Sequence, residues 1–77
     1  MELRQPTPEE ALEQAIAMHG GTELGRRLGI SDAAVFRWRR LGRVPAGRVL
    51  AVERATGVSR HWQRPDIYPV EKREAAE

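Results

Sequence analysis

Seventy-seven residues with no Cys and a net charge of +2 make one small domain, and a chain this short hides only about 60% of its unfolded surface, so its core is modest. The lack of Cys removes disulfide frameworks and thiolate metal or redox sites. No apolar run approaches the ~20 residues of a membrane span, and MELRQPTPEE does not read as a secretory signal, so the expectation is a soluble cytoplasmic protein with no membrane partner.

Residues 1–6 read as a lead-in. Thr7-Pro8-Glu9-Glu10 is a helix start: Thr7 as cap, Pro8 at the first helical position, Glu10 closing a capping box. Leu12 and Ile16, with Ala11 and Ala15 beside them, form one apolar stripe at helical spacing. Gly20-Gly21 ends that helix. Thr22 is the expected cap of a short second helix, with Leu24 and Leu28 on its inner face and Glu23, Arg26 and Arg27 in water. Gly29 stops it. Ile30 belongs to the turn. Ser31 caps a third helix, residues 31–41, in which Val35 and Trp38 point inward and Leu41 prolongs the stripe. Gly42 closes it.

Val44-Pro45 restarts the chain. Pro45 suits a first helical position, Ala46, Val49, Leu50 and Val52 supply an apolar face, and Gly57 ends the helix. Ser59 caps one further turn carrying Trp62. Arg64-Pro65-Asp66-Ile67-Tyr68-Pro69 cannot be a continuous helix, because each Pro removes a donor and restrains its predecessor. It reads as an extended strap laid over the core by Ile67 and Tyr68. Residues 70–77 read as a loose charged tail, and the folded domain as residues 7–69. No period-2 strand pattern appears, so the expected fold is all-α, four to five short helices.

The charge is unevenly spread. Residues 1–25 sum to −4, residues 26–64 to +8 and residues 65–77 to −2. The middle segment holds ten Arg against only Asp32 and Glu53. Arg presents a planar fork of donors suited to phosphates and guanine edges. Two short helices joined at Gly29-Ile30-Ser31 follow the helix-turn-helix plan. Gly25 is the small residue where the helices touch, Gly29 makes the bend, and Ile30, Val35 and Trp38 lock the pair. Gly25 stands where Ala is commoner, and Gly weakens a helix by about 0.5–1 kcal/mol relative to Ala.

With Val35 and Trp38 facing in, Ala33, Phe36, Arg37 and Arg40 face out at i, i+3, i+4 and i+7. That face suits a DNA major groove, where an apolar group meets a thymine methyl and Arg forks to guanine. Asp32, Ala33, Phe36 and Arg37, near the start of the helix, are assigned to bases. Asp32 suits a cytosine amino group, and also the positive helix end. Ser31 is a cap first and a phosphate contact second. Arg40 and Arg43 are placed for phosphates, and Thr22 for a phosphate at the start of the second helix. Arg26, Arg27, Arg48 and Arg54 serve solubility as readily as phosphate. Trp38 and Trp62 read as packing residues. His19 and His61 lack a ligand set, so no metal or cofactor is expected, and no residue set supports an enzyme.

The run from Gly20 to Leu28, then GIS, AVFRW, GRVPAGRVLAVERATGVSRHW and RPDIYP, resembles the small Cro-like repressors of phages and prophages, including the YdaS antitoxin-like group. The resemblance covers about Leu12 to Pro69. It implies a lambda-repressor/Cro-like helix-turn-helix domain that regulates transcription by binding double-stranded DNA, commonly as a homodimer on a pseudo-palindromic operator. Asp32, Ala33, Phe36 and Arg37 fall where such proteins read bases, although Ala33 and Phe36 are apolar where relatives carry polar residues. The same family includes antitoxin-like proteins, so a toxin partner, or a protein-interaction module with DNA binding secondary or lost, is the alternative.

Overall fold

Thr7 opens the first helix as its sequence predicts. In the computed structural model, which describes residues 5–69, Thr7 Oγ1 accepts from the Glu10 amide at 3.1 Å and Glu10 Oε1 accepts from the Thr7 amide at 2.9 Å. This capping box starts α1, Pro8–His19, whose Ala11, Leu12, Ala15 and Ile16 are buried. The chain then runs through α2 (Gly21–Leu28), α3 (Asp32–Leu41), a 3-10 turn (Ala46–Arg48), α4 (Val49–Thr56) and α5 (Arg60–Gln63). No strand occurs among the described residues, so the domain is all-α as expected. Residues 1–4 of the lead-in and the whole tail, 70–77, lie outside the described residues.

The five helices enclose one core of Leu12, Leu24, Val35, Trp38, Val44, Val49, Val52 and Val58, with Leu28, Ile30, Ala55, Trp62 and Tyr68 half-buried against it. Gln63 is fully buried among them, and its amide donates to the carbonyls of Val49 and Val58 at 3.2 and 2.9 Å. That bond pair ties α5 to the start of α4 and to the loop after it, and offsets part of the cost of burying a polar group, while Gln63 Oε1 accepts no hydrogen bond among the described residues. His19 Nε2 donates to the Ala55 carbonyl at 3.1 Å, joining the C-terminal ends of α1 and α4.

Several expected details differ. Thr22 does not cap α2. Gly20 occupies that position without a side-chain cap, because its φ of +86° lets the chain leave α1 and enter α2 immediately. Leu41 is 66% exposed rather than on the core stripe. Each +3 step slips about 60° around a helix of 3.6 residues per turn, so two steps from Val35 carry Leu41 out of the core. Ala46 is exposed, and Leu50 is 38% exposed. Pro45 precedes the 3-10 turn, and α4 begins only at Val49, with Val49, Val52 and Thr56 facing in. Leu50 then lies about 100° from Val49.

The Pro-rich segment is not an extended strap. The Arg64 carbonyl accepts from the amides of Ile67 and Tyr68 at 3.1 and 2.8 Å, which closes it into a turn. Ile67 points largely to solvent, and Tyr68 alone lies on the core. His61 Nδ1 donates to the Tyr68 carbonyl at 2.8 Å, and the Arg60 guanidinium sits 5.9 Å over the Tyr68 ring.

Candidate nucleic-acid interface

The turn between α2 and α3 is fixed by backbone bonds. Gly29 adopts a left-handed φ of +74°, its amide donates to the Arg26 carbonyl at 3.2 Å, and the Ile30 amide reaches back to Gly25 at 2.8 Å. This pattern terminates a helix while satisfying its last carbonyls. Gly25 faces the turn directly. A Cβ built there would lie 2.9 Å from the Ile30 carbonyl oxygen and 3.3 Å from Ser31 backbone atoms. Gly at this position therefore permits a close helix–turn approach, beyond the helix weakening that sequence alone suggests.

Ser31 caps α3, its Oγ accepting from the Ala34 amide at 3.2 Å. Val35 is fully buried and Trp38 is 4% exposed. The opposite side of α3 carries Asp32, Ala33, Phe36, Arg37 and Arg40, all exposed. The helix phase is thus the expected one. Thr22, in the first turn of α2, donates from its hydroxyl to Asp32 Oδ2 at 3.4 Å, which links the starts of the two helices. Phe36 rests its ring on the same place: a Cβ built on Gly21 would come within 2.7 Å of ring Cε1 and Cζ. Phe36 is 39% exposed, so part of the ring packs and the rest faces out.

The cations divide into two groups. Arg39 pairs with Glu13 of α1 at 2.8 Å, Arg26 and Arg27 with Glu23 at 3.6 and 3.1 Å, Arg60 with Glu53 at 2.9 Å and Arg64 with Asp66 at 2.7 Å. The side chains of Arg37, Arg40, Arg48 and Arg54 make no ion pair or hydrogen bond among the described residues. The outward side of α3 therefore combines two unneutralised guanidiniums with a small and an aromatic side chain.

Arg43 follows α3 in the loop to Val44. Its amide donates to the Trp38 carbonyl at 3.3 Å. The loop is also held from outside: Arg64 Nη1 donates to the Val44 carbonyl at 3.0 Å while its Nε and Nη2 fork onto Asp66 at 3.0 and 2.7 Å. The Arg64 hydrogen bond, joined by the charge of Arg43, holds the Asp66 carboxyl below its ordinary range. The same bond pushes the Arg64 guanidinium up. Sequence reasoning missed Arg64 in this loop-bracing role. Its only signal was an Arg two residues before an Asp next to Pro65. No group of three or more His, Asp or Glu suited to a metal ion occurs among the described residues, and none of their helices is long and apolar enough to cross a membrane.

The family model described as "Bacterial toxin YdaS" matches residues 12–72. No curated protein and no solved structure gives a match. The matched stretch contains the whole of α2, the turn and α3, and it supports the coarse description of a small phage-type regulator or toxin–antitoxin-like protein.

Proposed function

The chain belongs to the YdaS family, and from that premise we propose that it is a sequence-specific regulator of transcription that binds double-stranded DNA. The observation carrying this reading is the outward side of α3, where the Arg37 and Arg40 side chains make no ion pair among the described residues beside Ala33 and Phe36. Arg37 forks to a guanine edge, while Ala33 and the open part of Phe36 meet thymine methyls. Asp32, steadied by Thr22, accepts from a cytosine amino group. Arg40 and Arg43 contact phosphates, as do Ser31 and Thr22 at the helix starts.

Ten residues of α3 extend about 15 Å at ~1.5 Å per residue, which spans about four base pairs. One copy therefore specifies too little, and two copies on a pseudo-palindromic operator, with recognition helices about 34 Å apart, supply the remainder. The protein acts in the bacterial cytoplasm as a repressor of the phage or prophage type. The word toxin in the family description favours a second reading, an antitoxin-like or protein-interaction module on this scaffold.

Fluorescence anisotropy of a random duplex across a salt series separates the two. The DNA reading expects log affinity to fall against log salt with a slope of about −0.9 per phosphate contacted. Selection from a random duplex pool then yields a palindromic winner. A protein that leaves duplex DNA unbound at low salt would overturn the proposal in favour of the second reading.

A further inference from the structure

We propose that the groove between α2 and α4 docks an acidic, amphipathic helical segment of a partner protein. A concavity of about 360 Å³ lies there, lined by Arg27, Leu28, Ala51, Arg54 and Ala55. A second of about 310 Å³ shares Arg54 and is lined also by Leu50 and by the Glu53–Arg60 ion pair. Along α4, Leu50, Ala51, Arg54 and Ala55 recur at i, i+1, i+4 and i+5, so they form one open stripe of about two turns. Leu28, Ala51 and Ala55 are each only half-buried, and Leu50 is 38% exposed. The stripe is thus an apolar floor with guanidiniums along it.

The charges choose the occupant. Arg54 makes no ion pair among the described residues. Among the described residues Arg27 is held by Glu23 alone, at 3.1 Å, with both side chains partly exposed. Solvent-accessible pairs of this kind contribute little, so an incoming carboxylate displaces Glu23 readily. A phosphate backbone gains nothing from the Leu28, Ala51 and Ala55 floor, whereas aliphatic side chains bury against it. A strand-forming peptide would need a sheet edge and a polyproline segment an aromatic-lined groove, whereas the described residues form no strand and no aromatic side chain lines this concavity. Aliphatic anchors one helical turn apart, flanked by carboxylates, match both features. None of these groove residues belongs to the set proposed for DNA, so the two activities are separable.

The test is a nuclear magnetic resonance titration of the full, isotope-labelled chain with an acetylated, amidated helix of about 16 residues, a length at which isolated helices begin to hold. Its sequence places Leu at i, i+4 and i+7 and Glu and Ala elsewhere. Saturable shifts at Leu28, Ala51 and Ala55 are expected, with Ala33 and Arg37 unmoved. The same peptide with Lys for Glu should not saturate. Arg54→Glu should weaken binding about tenfold without altering the thermal melt, and Ala51→Glu, which places a carboxylate on the floor, should do the same. The proposal falls if no saturable shift occurs, if both peptides bind equally, or if neither variant weakens binding. It falls also if random duplex DNA moves the groove resonances and the Glu peptide does not. Failure of duplex binding at α3 leaves the peptide result intact, so the two readings fail separately.

Discussion

Adding one carbon at Gly25 sets local propensity against the geometry of the turn. Ala is worth about 1 kcal/mol over Gly inside a helix, so α2 considered alone gains from Gly25→Ala. The structure predicts a net loss. The new Cβ would meet the Ile30 carbonyl oxygen at 2.9 Å, closer than real Cβ contacts come, and Ser31 backbone atoms at 3.3 Å. Those atoms cannot swing aside, because they belong to a pinned segment. The Ile30 amide bonds to Gly25 itself at 2.8 Å, and the Ser31 carbonyl accepts from Ala34 at 3.1 Å at the start of α3. Overpacking of this kind costs about 1–3 kcal/mol. The balance is a destabilisation of about 1 kcal/mol, or about 4–8 °C in Tm for a domain of this size. Gly47 is the control, since nothing lies within 4 Å of a Cβ built there. Gly47→Ala should stabilise by about 0.4–1 kcal/mol by restricting the unfolded chain. Urea unfolding followed by circular dichroism measures both. Equal responses of the two variants, or a Gly25→Ala protein as stable as the parent, would refute the reasoning.

Arg37→Ala should cost about 1–3 kcal/mol of affinity and relax preference at one base pair; equal losses on operator and random DNA would demote Arg37 to a phosphate contact. Arg43→Ala should weaken all sequences alike and flatten the salt slope by about one unit, as read by anisotropy. Trp38→Ala removes a nearly buried aromatic and should cost about 3–5 kcal/mol in denaturant unfolding; parental stability would contradict the phase of α3. The Asp66 carboxyl is held below its unfolded range by Arg64, so its contribution is present above the unfolded pKa and is lost as pH falls through the lower folded pKa. Asp66→Asn should therefore lower stability near neutrality and flatten the loss on acidification, visible as converging melting curves for the two proteins at low pH.

What the sequence reveals is mostly local. Thr7 and Ser31 cap where their side chains demand it, and Gly29 and Gly42 stop α2 and α3 in the left-handed conformation that only Gly adopts freely. Val35 and Trp38 set the phase of α3 because two inward residues three apart fix one face. What the sequence conceals depends on neighbours distant along the chain. Phe36 is half covered because Gly21, fifteen positions earlier, leaves room for its ring. Arg39 reads like its neighbours Arg37 and Arg40 in the sequence, yet it is neutralised by Glu13 across the helix interface. Leu50 looks like core in a continuous helix from Pro45, and the 3-10 turn at Ala46–Arg48 rotates it outward. Gln63 is polar by residue type, yet it is fully buried where the carbonyls of Val49 in α4 and of Val58 in the following loop accept from its amide.

The side of α3 that meets the duplex can be read by photo-crosslinking. A photoreactive residue placed at Ala33 should crosslink to the selected duplex, and one at Gln14, exposed on α1, should not. Crosslinking from Gln14 with none from Ala33 would contradict the assignment of the α3 outward side to DNA.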